Sequence, residues 1–481
     1  MKKQVFNPYL PSYEYVPDGE PRVFGGRLYV YGSHDAFDGD GYCDNDYVGW
    51  SAPVDDLSDW RYEGVIYPAT RDPQNKDGRM KLFAPDAVQG PDGRYYLYYS
   101  LNASSLVSVA VCDTPMGDFQ FYDFVRHPDG TPLGGVGGDI SCFDPGVLVE
   151  GENIYLYTGF SAGPGWLYDM MIKNNRRMEG AYCTVLEPDM RTVRREPVLV
   201  APSVWHEAGT GFEGHAFYEA SSIRKIGDTY YFVYSSILSH ELCYATSRHP
   251  DRDFRFGGTL VSIGDIGLNG NTEALNYTGN THGGMVKLGD QWYIFYHRQT
   301  NKQCCARQGC AEPITIRPDG SIPQAEVTSC GLNGGPLVGE GTYEARIACH
   351  LGFREPSFGY SEAHEKDTAH PCFTQSGGDR EDDPDQYIAN MADGAWCGFK
   401  YFDFRGASTL TVTTRGDGCG TLAVATDRGK APFARIPIAP GSDWHPCAAV
   451  SFPPLTGTHA LYFTYTGTGA MDFRDFTLGH I

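Results

Sequence analysis

Arg94-Tyr-Tyr-Leu-Tyr-Tyr-Ser100 is an aromatic strand pattern that the chain repeats at a spacing of roughly 60 to 75 residues. Most copies follow a turn signal such as Asp92-Gly93, so each copy is predicted to be the second strand of a hairpin. A repeat of this length provides four strands with generous loops, enough for one propeller blade. Five copies therefore predict a five-bladed β-propeller. The other four are Arg27-Leu-Tyr-Val-Tyr-Gly-Ser33, Asn153-Ile-Tyr-Leu-Tyr-Thr-Gly159, Thr229-Tyr-Tyr-Phe-Val-Tyr-Ser235 and Gln291-Trp-Tyr-Ile-Phe-Tyr-His297.

The composition agrees with an all-β chain of two domains. The 481 residues exceed the length of one ordinary domain. Aromatic residues make up 14% of the chain, and its 59 glycines and 31 prolines suit many short strands joined by turns. We predict a propeller over residues 1–335 and a second domain over 340–481.

Charge and hydropathy exclude several classes of partner. A formal net charge of −22 would repel nucleic acid, so a neutral ligand is expected. No stretch is long and apolar enough to span a bilayer, and the residues after Met1 contain no apolar signal region. We therefore expect a cytoplasmic protein without membrane contact.

The 14 cysteines are expected to be free thiols in such a compartment. Cys304, Cys305 and Cys310 resemble half of a metal site, but no second ligand pair follows at zinc-finger spacing. We therefore interpret these three cysteines as structural or incidental thiols.

A titratable residue precedes each aromatic copy by about ten to twelve positions. The innermost strand of each blade lines the central channel, so equivalent positions should converge on one axis. The alternative is that each residue is satisfied locally at a turn or strand end. Five matched positions favour a shared pocket. The residues are Asp18, Asp86, Asp144, Glu219 and His282.

Clustered carboxylates in a cavity can divide into an acid and a base, because repulsion and burial raise one pKa while a better-solvated partner stays ionised. Glycoside hydrolysis uses such a pair. An inverting enzyme needs about 6.5 to 9.5 Å between the two groups, which opposite walls of a channel can supply.

The motifs around these residues resemble glycoside hydrolase family 43, whose members are five-bladed propellers. Asn7-Pro-Tyr-Leu-Pro11 with Asp18 resembles the first-blade motif, which implies that Asp18 is the general base. Ser141-Cys-Phe-Asp-Pro145 resembles the third-blade motif, in which Asp144 would tune and position the acid. Phe217-Tyr-Glu-Ala-Ser-Ser-Ile-Arg-Lys225 resembles the motif of the general acid, Glu219. Glu213 competes for that role, but the strand register favours Glu219.

The resemblance also implies residues around the sugar. Ala84-Pro-Asp86 resembles the second-blade motif, with Asp86 near the substrate, and Phe83 stands where many members have Trp. His282 in Thr281-His-Gly-Gly284 would hold a structural Ca²⁺, another cation or an ordered water on the axis, and no catalytic cofactor is required. Arg307 would contact substrate, or is an ordinary surface arginine.

Aromatic side chains between blades are candidates to stack on sugar faces. Phe37, Trp166 and Trp205 are assigned to this role, whereas most other aromatics are expected in the cores between blades.

Residues 340–481 are predicted to form a β-sandwich of jelly-roll form. Alternating runs such as Thr409-Leu-Thr-Val-Thr-Thr414 indicate strands. Gly457–Phe463 and Met471–Leu478 resemble the last strands of carbohydrate-binding module family 6, with Trp396 or Trp444 as sugar contacts unless buried. We expect this domain to pack on the propeller and shape its pocket.

The resemblance implies an inverting, exo-acting hydrolase that releases L-arabinofuranose or D-xylose from short oligosaccharides. The alternatives are a β-galactofuranosidase, a non-catalytic sugar-binding propeller, or a retaining enzyme, which would need carboxylates only about 5 to 5.5 Å apart.

Overall fold

A computed structural model describes residues 3–165, 169, 173, 175–360, 370–381 and 385–480. The first part of the chain is a propeller of five blades, as predicted. Four of these blades are antiparallel sheets of four strands, and the fifth has three.

The strands follow one another outward within each blade. Blade one contains β1 (Glu20–Phe24), β2 (Arg27–Tyr31), β3 (Tyr47–Pro53) and β4 (Arg61–Tyr67). Blade two contains β5 (Leu82–Gln89), β6 (Tyr95–Leu101), β7 (Val107–Cys112) and β8 (Gln120–Phe124). Blade three contains β9 (Gly146–Glu150), β10 (Asn153–Thr158), β11 (Gly180–Leu186) and β12 (Val193–Pro202). Blade four contains β13 (Phe217–Ile226), β14 (Thr229–Ser236), β15 (Glu241–Ser247) and β16 (Arg255–Ser262). Blade five contains β17 (Met285–Leu288), β18 (Gln291–Gln299) and β19 (Arg307–Ile314).

The aromatic repeat forms the second strand of every blade and pairs with the innermost strand. Successive side chains of β6 point to opposite faces. Tyr96 and Tyr98 pack in the core shared with blade three, whereas Leu97 and Tyr99 pack in the core shared with blade one. Both faces of the strand are therefore buried, which explains its continuous aromatic and aliphatic pattern.

The N-terminal segment completes blade five. The Tyr9 N–H donates to the Gly309 carbonyl, and the Asn7 side chain both donates to the Ala311 carbonyl and accepts from the Ala311 N–H. The first residues of the chain therefore run beside β19 and tie the two ends of the propeller together.

The second domain is a β-structure built around one core of aromatic and aliphatic side chains. Hydrogen bonding links its strands into a single sheet in the order β23-β24-β30-β25-β29-β26-β27, because the long strands β25 and β29 bend through several bulges. Its strands are β20 (Leu337–Val338), β21 (Gly341–Glu344), β22 (His350–Gly352), β23 (Cys372–Ser376), β24 (Asp385–Ala392), β25 (Trp396–Gly416), β26 (Cys419–Ala425), β27 (Ala434–Ile438), β28 (Gly441–Pro446), β29 (Val450–Thr468) and β30 (Ala470–Gly479).

Helical structure among the described elements is limited to short 3-10 turns: Ala69–Arg71, Leu268–Gly270, Gly331–Asn333 and Ala345–Ile347. No helix in the described ranges is long and apolar enough to cross a membrane.

Buried ion pairs join the two domains. The Asp265 carboxylate, which follows β16, lies 2.7 Å from His350 Nε2 and 3.2 Å from Lys400 Nζ. All three side chains are buried, and the neighbouring Tyr277 packs within the core of the second domain. This domain therefore packs against the propeller as expected, whereas its resemblance to carbohydrate-binding module family 6 stays a prediction. Of its two tryptophans, Trp396 is buried beneath Arg428.

Candidate active site

A cavity of about 500 Å³ lies on the propeller axis at one end of the innermost strands. Four of the five predicted axial residues line it: Asp18, Asp144, Glu219 and His282. The fifth, Asp86, is not among the lining residues. Its carboxylate is buried and accepts hydrogen bonds from Arg22 Nε at 3.0 Å and from the Val147 N–H at 2.7 Å. The structure therefore brings four titratable groups together.

A larger cavity of about 670 Å³ lies over the outer strands of blade four. Its two carboxylates, Asp253 and Asp319, are both exposed to water, whereas the carboxylates of the axial cavity lie in the interior of the propeller. The axial cavity is therefore the candidate active site.

Strained backbone presents the carboxylates to the axial cavity. Asp18 and Asp144 have φ values of 56° and 46°, and Ala220, directly after Glu219, has a φ of 70°. These conformations are unfavourable for residues other than glycine and are typical of functional sites. Around Glu219 the pairing of β13 with β14 shifts register twice, so a bulge turns this side chain towards the axis.

Asp18 is held in its ionised form by Arg307. Arg307 Nη1 donates to Asp18 Oδ1 at 2.9 Å. His297 fixes the backbone instead, because its Nδ1 accepts the Asp18 N–H at 3.2 Å, and burial followed by the charge of Arg307 lowers the His297 pKa to about 3, which leaves its ring neutral. Burial alone would raise the pKa of Asp18, but the positive charge of Arg307 outweighs it and lowers the pKa below its ordinary value. Asp18 is therefore ready to accept a proton.

Arg307 is itself fixed by a second carboxylate. Its Nε and Nη2 donate to Asp35 Oδ2 and Oδ1 at 2.8 and 2.9 Å, a bidentate pair. Arg307 is only 2% exposed, so the interpretation as a surface arginine is wrong. Sequence reasoning missed Asp35 and His297. Asp35 lies two residues after Ser33, the end of the first aromatic copy, and His297 ends the fifth copy, so neither stood at the matched register.

Glu219 has the opposite character. Burial, followed by the negative charge of Asp144, raises its pKa to about 8. Burial also raises the pKa of Asp144, although its Oδ2 accepts the Ala220 N–H at 3.1 Å. Glu219 therefore keeps its proton at neutral pH.

His282 supports Asp144 from the fifth blade. Its Nδ1 lies 3.5 Å from Asp144 Oδ2. Burial would lower the pKa of His282, but the hydrogen bond to Asp144 and the charge of that carboxylate raise it to about 9. The imidazole is thus positively charged beside the third carboxylate of the site.

Aromatic rings form one wall of the cavity. Phe83, Phe143, Phe160 and Tyr218 contact one another in sequence, with ring centroids 5.4 to 5.6 Å apart. Phe83 thus lines the cavity, and its contact with substrate stays a prediction. Such a surface suits the apolar face of a sugar ring.

Two other predicted contacts, Phe37 and Trp205, do not line the cavity. Phe37 is buried against Tyr15 and Ala306 because it fills a small core behind the site. The Trp205 indole is 40% exposed and donates to the Ala162 carbonyl. Trp166 lies outside the described residues.

Glu213, the competing acid, is exposed and accepts the amides of Gly209 and Thr210 in a surface turn. This environment keeps it ionised. The geometry therefore separates Glu213 from the axial site and leaves Glu219 as the protonated carboxyl of the cavity.

The second domain also contributes to the wall of this cavity. Gly359 and Tyr360 line the cavity, and Gly359 pairs with Thr278 of the propeller. The Tyr360 ring stacks on Tyr277 with centroids 5.5 Å apart. The cavity is therefore completed by a segment outside the five blades.

None of the fourteen cysteines takes part in a disulfide bond in the described structure. Cys304 lines the cavity, whereas Cys305 and Cys310 are buried.

Comparison with known proteins agrees with this geometry. The model for glycosyl hydrolases family 43 matches residues 25–322. A protein from Thermoclostridium stercorarium named xylosidase/arabinosidase is 52% identical over 483 residues, which cover 99% of both chains.

Two solved structures share the fold. One is a family 43 arabinoxylan arabinofuranohydrolase from Bacillus subtilis in complex with cellotetraose, with a TM-score of 0.52 and 20% sequence identity. The superposition includes 99% of this chain and 97% of the Bacillus chain. A GH43_1 enzyme from Xanthomonas citri, complexed with xylotriose, has a TM-score of 0.52 at 22% identity over 67% and 93% of the two chains. With the family model covering most of the propeller and a relative matching almost the whole length, this chain belongs to glycosyl hydrolases family 43.

Proposed function

We propose that this glycosidase is an inverting, exo-acting enzyme that releases L-arabinofuranose or D-xylose from short oligosaccharides. The observation that carries the proposal is the opposite displacement of two carboxyl pKa values within one cavity: that of Asp18 is lowered and that of Glu219 is raised to about 8. Near neutral pH the site therefore holds one base and one acid, as glycoside hydrolysis requires.

In the proposed reaction, Asp18 removes a proton from water as the water attacks the anomeric carbon. Glu219 gives its proton to the oxygen of the departing group, so the bond to the leaving sugar breaks without releasing an alkoxide. Asp144 keeps Glu219 protonated through its charge, and Arg307 keeps Asp18 ionised. Each of the four side chains thus has a separate task.

The shape of the cavity supports action on short substrates. Its walls include the four aromatic rings, Gly359 and Tyr360, and its volume of about 500 Å³ fits a few sugar units. The name of the Thermoclostridium relative supports a pentose, and we favour arabinofuranose slightly over xylose. Cytoplasmic location remains a prediction.

A cation beside His282 is part of the proposal. The buried Glu20 Oε2 has no hydrogen-bond partner among the described residues, and the charge of Glu20 acts on His282. A carboxylate oxygen is the donor that Ca²⁺ prefers, so Glu20 would be the direct ligand of such a cation, and His282 would take part only after losing its proton. Such an ion would add positive charge below the carboxylates.

Hydrolysis of three chromogenic substrates tests the proposal: 4-nitrophenyl α-L-arabinofuranoside, β-D-xylopyranoside and β-D-galactofuranoside. We expect turnover of one of the first two by the wild type and loss of turnover in Asp18→Asn. The matched control is Asp319→Asn, which removes an exposed carboxylate far from the axis and should retain activity.

Turnover of the galactofuranoside alone would replace the pentose with a hexofuranose. Binding of oligosaccharide without turnover of any substrate would overturn the proposal in favour of a sugar-binding propeller. Undiminished activity in Asp18→Asn would show that another group activates the water.

A further inference from the structure

Blade four contains a second group of chemically active side chains, separate from the four that line the axis. His215 lies just before β13, and Glu241 and Cys243 lie at the start of β15. Glu241 Oε1 is 2.6 Å from His215 Nδ1 and 3.3 Å from Cys243 Sγ. Cys243 Sγ lies 4.0 Å from His215 Nδ1. A nitrogen, an oxygen and a sulfur donor therefore meet at one point.

The spacing of these donors is close to that of a tetrahedral zinc site. Zn²⁺ binds histidine and carboxylate at about 2.0 to 2.2 Å and thiolate at about 2.3 Å, which places neighbouring ligand atoms about 3.4 to 3.6 Å apart. The three observed separations of 2.6, 3.3 and 4.0 Å bracket this range. Movements of less than about 1 Å, within the reach of side-chain rotation, would bring the donors to it.

The surroundings hold the carboxylate as ligands are usually held. Ser236 Oγ donates to Glu241 Oε1 at 2.7 Å, and Thr259 Oγ1 donates to Glu241 Oε2 at 2.8 Å. Hydrogen bonds of this kind orient a ligating carboxylate and are typical of metal sites. The His215 ring stacks on Phe256, with centroids 5.0 Å apart and an angle of 15° between planes, which fixes its direction.

Access is available from one side only. The His215 side chain is 35% exposed, whereas Glu241 is 4% exposed and Cys243 is buried. A metal ion could enter past the imidazole and keep its fourth position for water. This group is also the only set of three His, Cys, Asp or Glu donors within 4.8 Å of one another in the described part of the chain.

We propose that His215, Glu241 and Cys243 form a binding site for a zinc-like divalent cation. Binding replaces the hydrogen bonds of Glu241 to His215 and Cys243 with metal bonds. It releases the thiol proton to solvent, and the proton on His215 Nδ1 moves to Nε2 or, from a charged imidazole, is also released to solvent. The mixed donor set selects zinc or cobalt over Ca²⁺ and Mg²⁺, which take oxygen ligands.

The site is linked to the active-site cavity by a short turn. Leu238 and Ser239, which line the cavity, lie between Ser236 and Glu241. A metal bound to Glu241 would fix one end of this turn, and the hydrogen bond from Ser236 to the Glu241 carboxylate would hold the other end. The proposal concerns binding of an ion and does not depend on the identity of the sugar that is hydrolysed.

Cobalt titration of the full-length protein tests the site directly, because a thiolate bound to Co²⁺ gives a charge-transfer band in the near ultraviolet. We expect about one Co²⁺ per chain with this band, displaced by Zn²⁺, and a rise in the thermal denaturation midpoint when Zn²⁺ is added. His215→Ala and Cys243→Ala should lose both signals.

Matched controls are Cys183→Ala, a buried thiol of blade three, and His249→Ala, a half-buried histidine of blade four; both should retain the band. If Cys243→Ala fails to fold, His215→Ala decides, since its side chain is partly exposed. Absence of the band in the wild type, or its persistence in His215→Ala or Cys243→Ala, would overturn the proposal.

Discussion

Replacing Glu219 with glutamine changes one atom group of the carboxyl, and we expect it to lower the catalytic rate while it raises the stability of the fold. Glutamine has the size of glutamic acid and fits the same bulge, but it cannot give a proton to a leaving oxygen. General acid catalysis contributes about 10²- to 10⁴-fold to a rate. We expect Glu219→Gln to lose that factor on xylobiose or an arabinoxylo-oligosaccharide. The loss should be much smaller on a 4-nitrophenyl glycoside, whose leaving group departs without protonation.

The same substitution should make the protein more stable. The unfolded chain loses the Glu219 proton near pH 4.5, whereas the folded chain retains it up to about pH 8. Wild-type stability therefore falls as pH rises between these values, because the folded state holds the extra proton. At pH 7 the penalty for burying this acid is on the order of 3 kcal/mol, given its pKa of about 8 in the folded state.

Two measurements check this reasoning: kcat/KM on both classes of substrate, and denaturation midpoints at pH 4.5 and pH 7. We expect Glu219→Gln to be more stable than the wild type at pH 7 and equal to it at pH 4.5. Glu213→Gln is the matched control. It should change kcat/KM by no more than a few-fold and the free energy of unfolding by no more than a few tenths of a kcal/mol. Equal losses on both substrates, or lower stability at pH 7, would refute the assignment of Glu219 as the buried acid.

Three further predictions concern the neighbours of this pair. The wild-type rate should fall at high pH, with an alkaline limb near pH 8 where Glu219 loses its proton. Asp144→Asn should move that limb to lower pH, because removing the Asp144 charge lowers the pKa of Glu219 while burial still keeps it above 4.5. A pH–rate profile measures the shift, and an unmoved limb would contradict the prediction. Arg307→Met should lower the free energy of unfolding by about 3 to 5 kcal/mol, because it leaves two buried carboxylates unpaired. Arg252→Met, which removes an arginine side chain that is 54% exposed, should change the free energy of unfolding by less than about 1 kcal/mol. Equal costs of the two substitutions in denaturant titrations would contradict the buried pairing. Tyr360→Ala should raise KM about two- to tenfold with little change in kcat, whereas the kinetic constants of Tyr360→Phe should equal those of the wild type. If neither constant changes in Tyr360→Ala when steady-state kinetics are measured, Tyr360 does not contact the substrate.

The repeat made the propeller predictable because each aromatic strand is buried on both faces. Tyr98 and Tyr99 serve two different cores, so the sequence must be apolar at successive positions, and that constraint recurs in every blade. The axial residues were predictable for the same reason, since they precede a recognisable strand at fixed register. Asp86 satisfied the register but is not among the residues that line the cavity, and its carboxylate is engaged by Arg22.

Partners that come from distant loops could not be predicted in this way. Asp35 reaches the site only through Arg307, which is 272 positions away in sequence, and Tyr360 arrives from another domain. Phe37 was misplaced because an aromatic near a catalytic motif can equally fill a core behind it, and burial depends on packing that local sequence does not record. In the group of His215, Glu241 and Cys243 in blade four, the histidine likewise lies 26 and 28 positions from its two neighbours.

The central claim is that Asp18 and Glu219 act from opposite faces of the sugar, and the configuration of the first sugar released tests it most directly. Proton NMR of 4-nitrophenyl β-D-xylopyranoside or α-L-arabinofuranoside hydrolysis, recorded before mutarotation, distinguishes the two anomers. The proposed mechanism predicts the inverted product, α-D-xylose or β-L-arabinofuranose, as the first signal. Release of the retained anomer would contradict it, because retention requires a carboxylate that attacks the sugar itself.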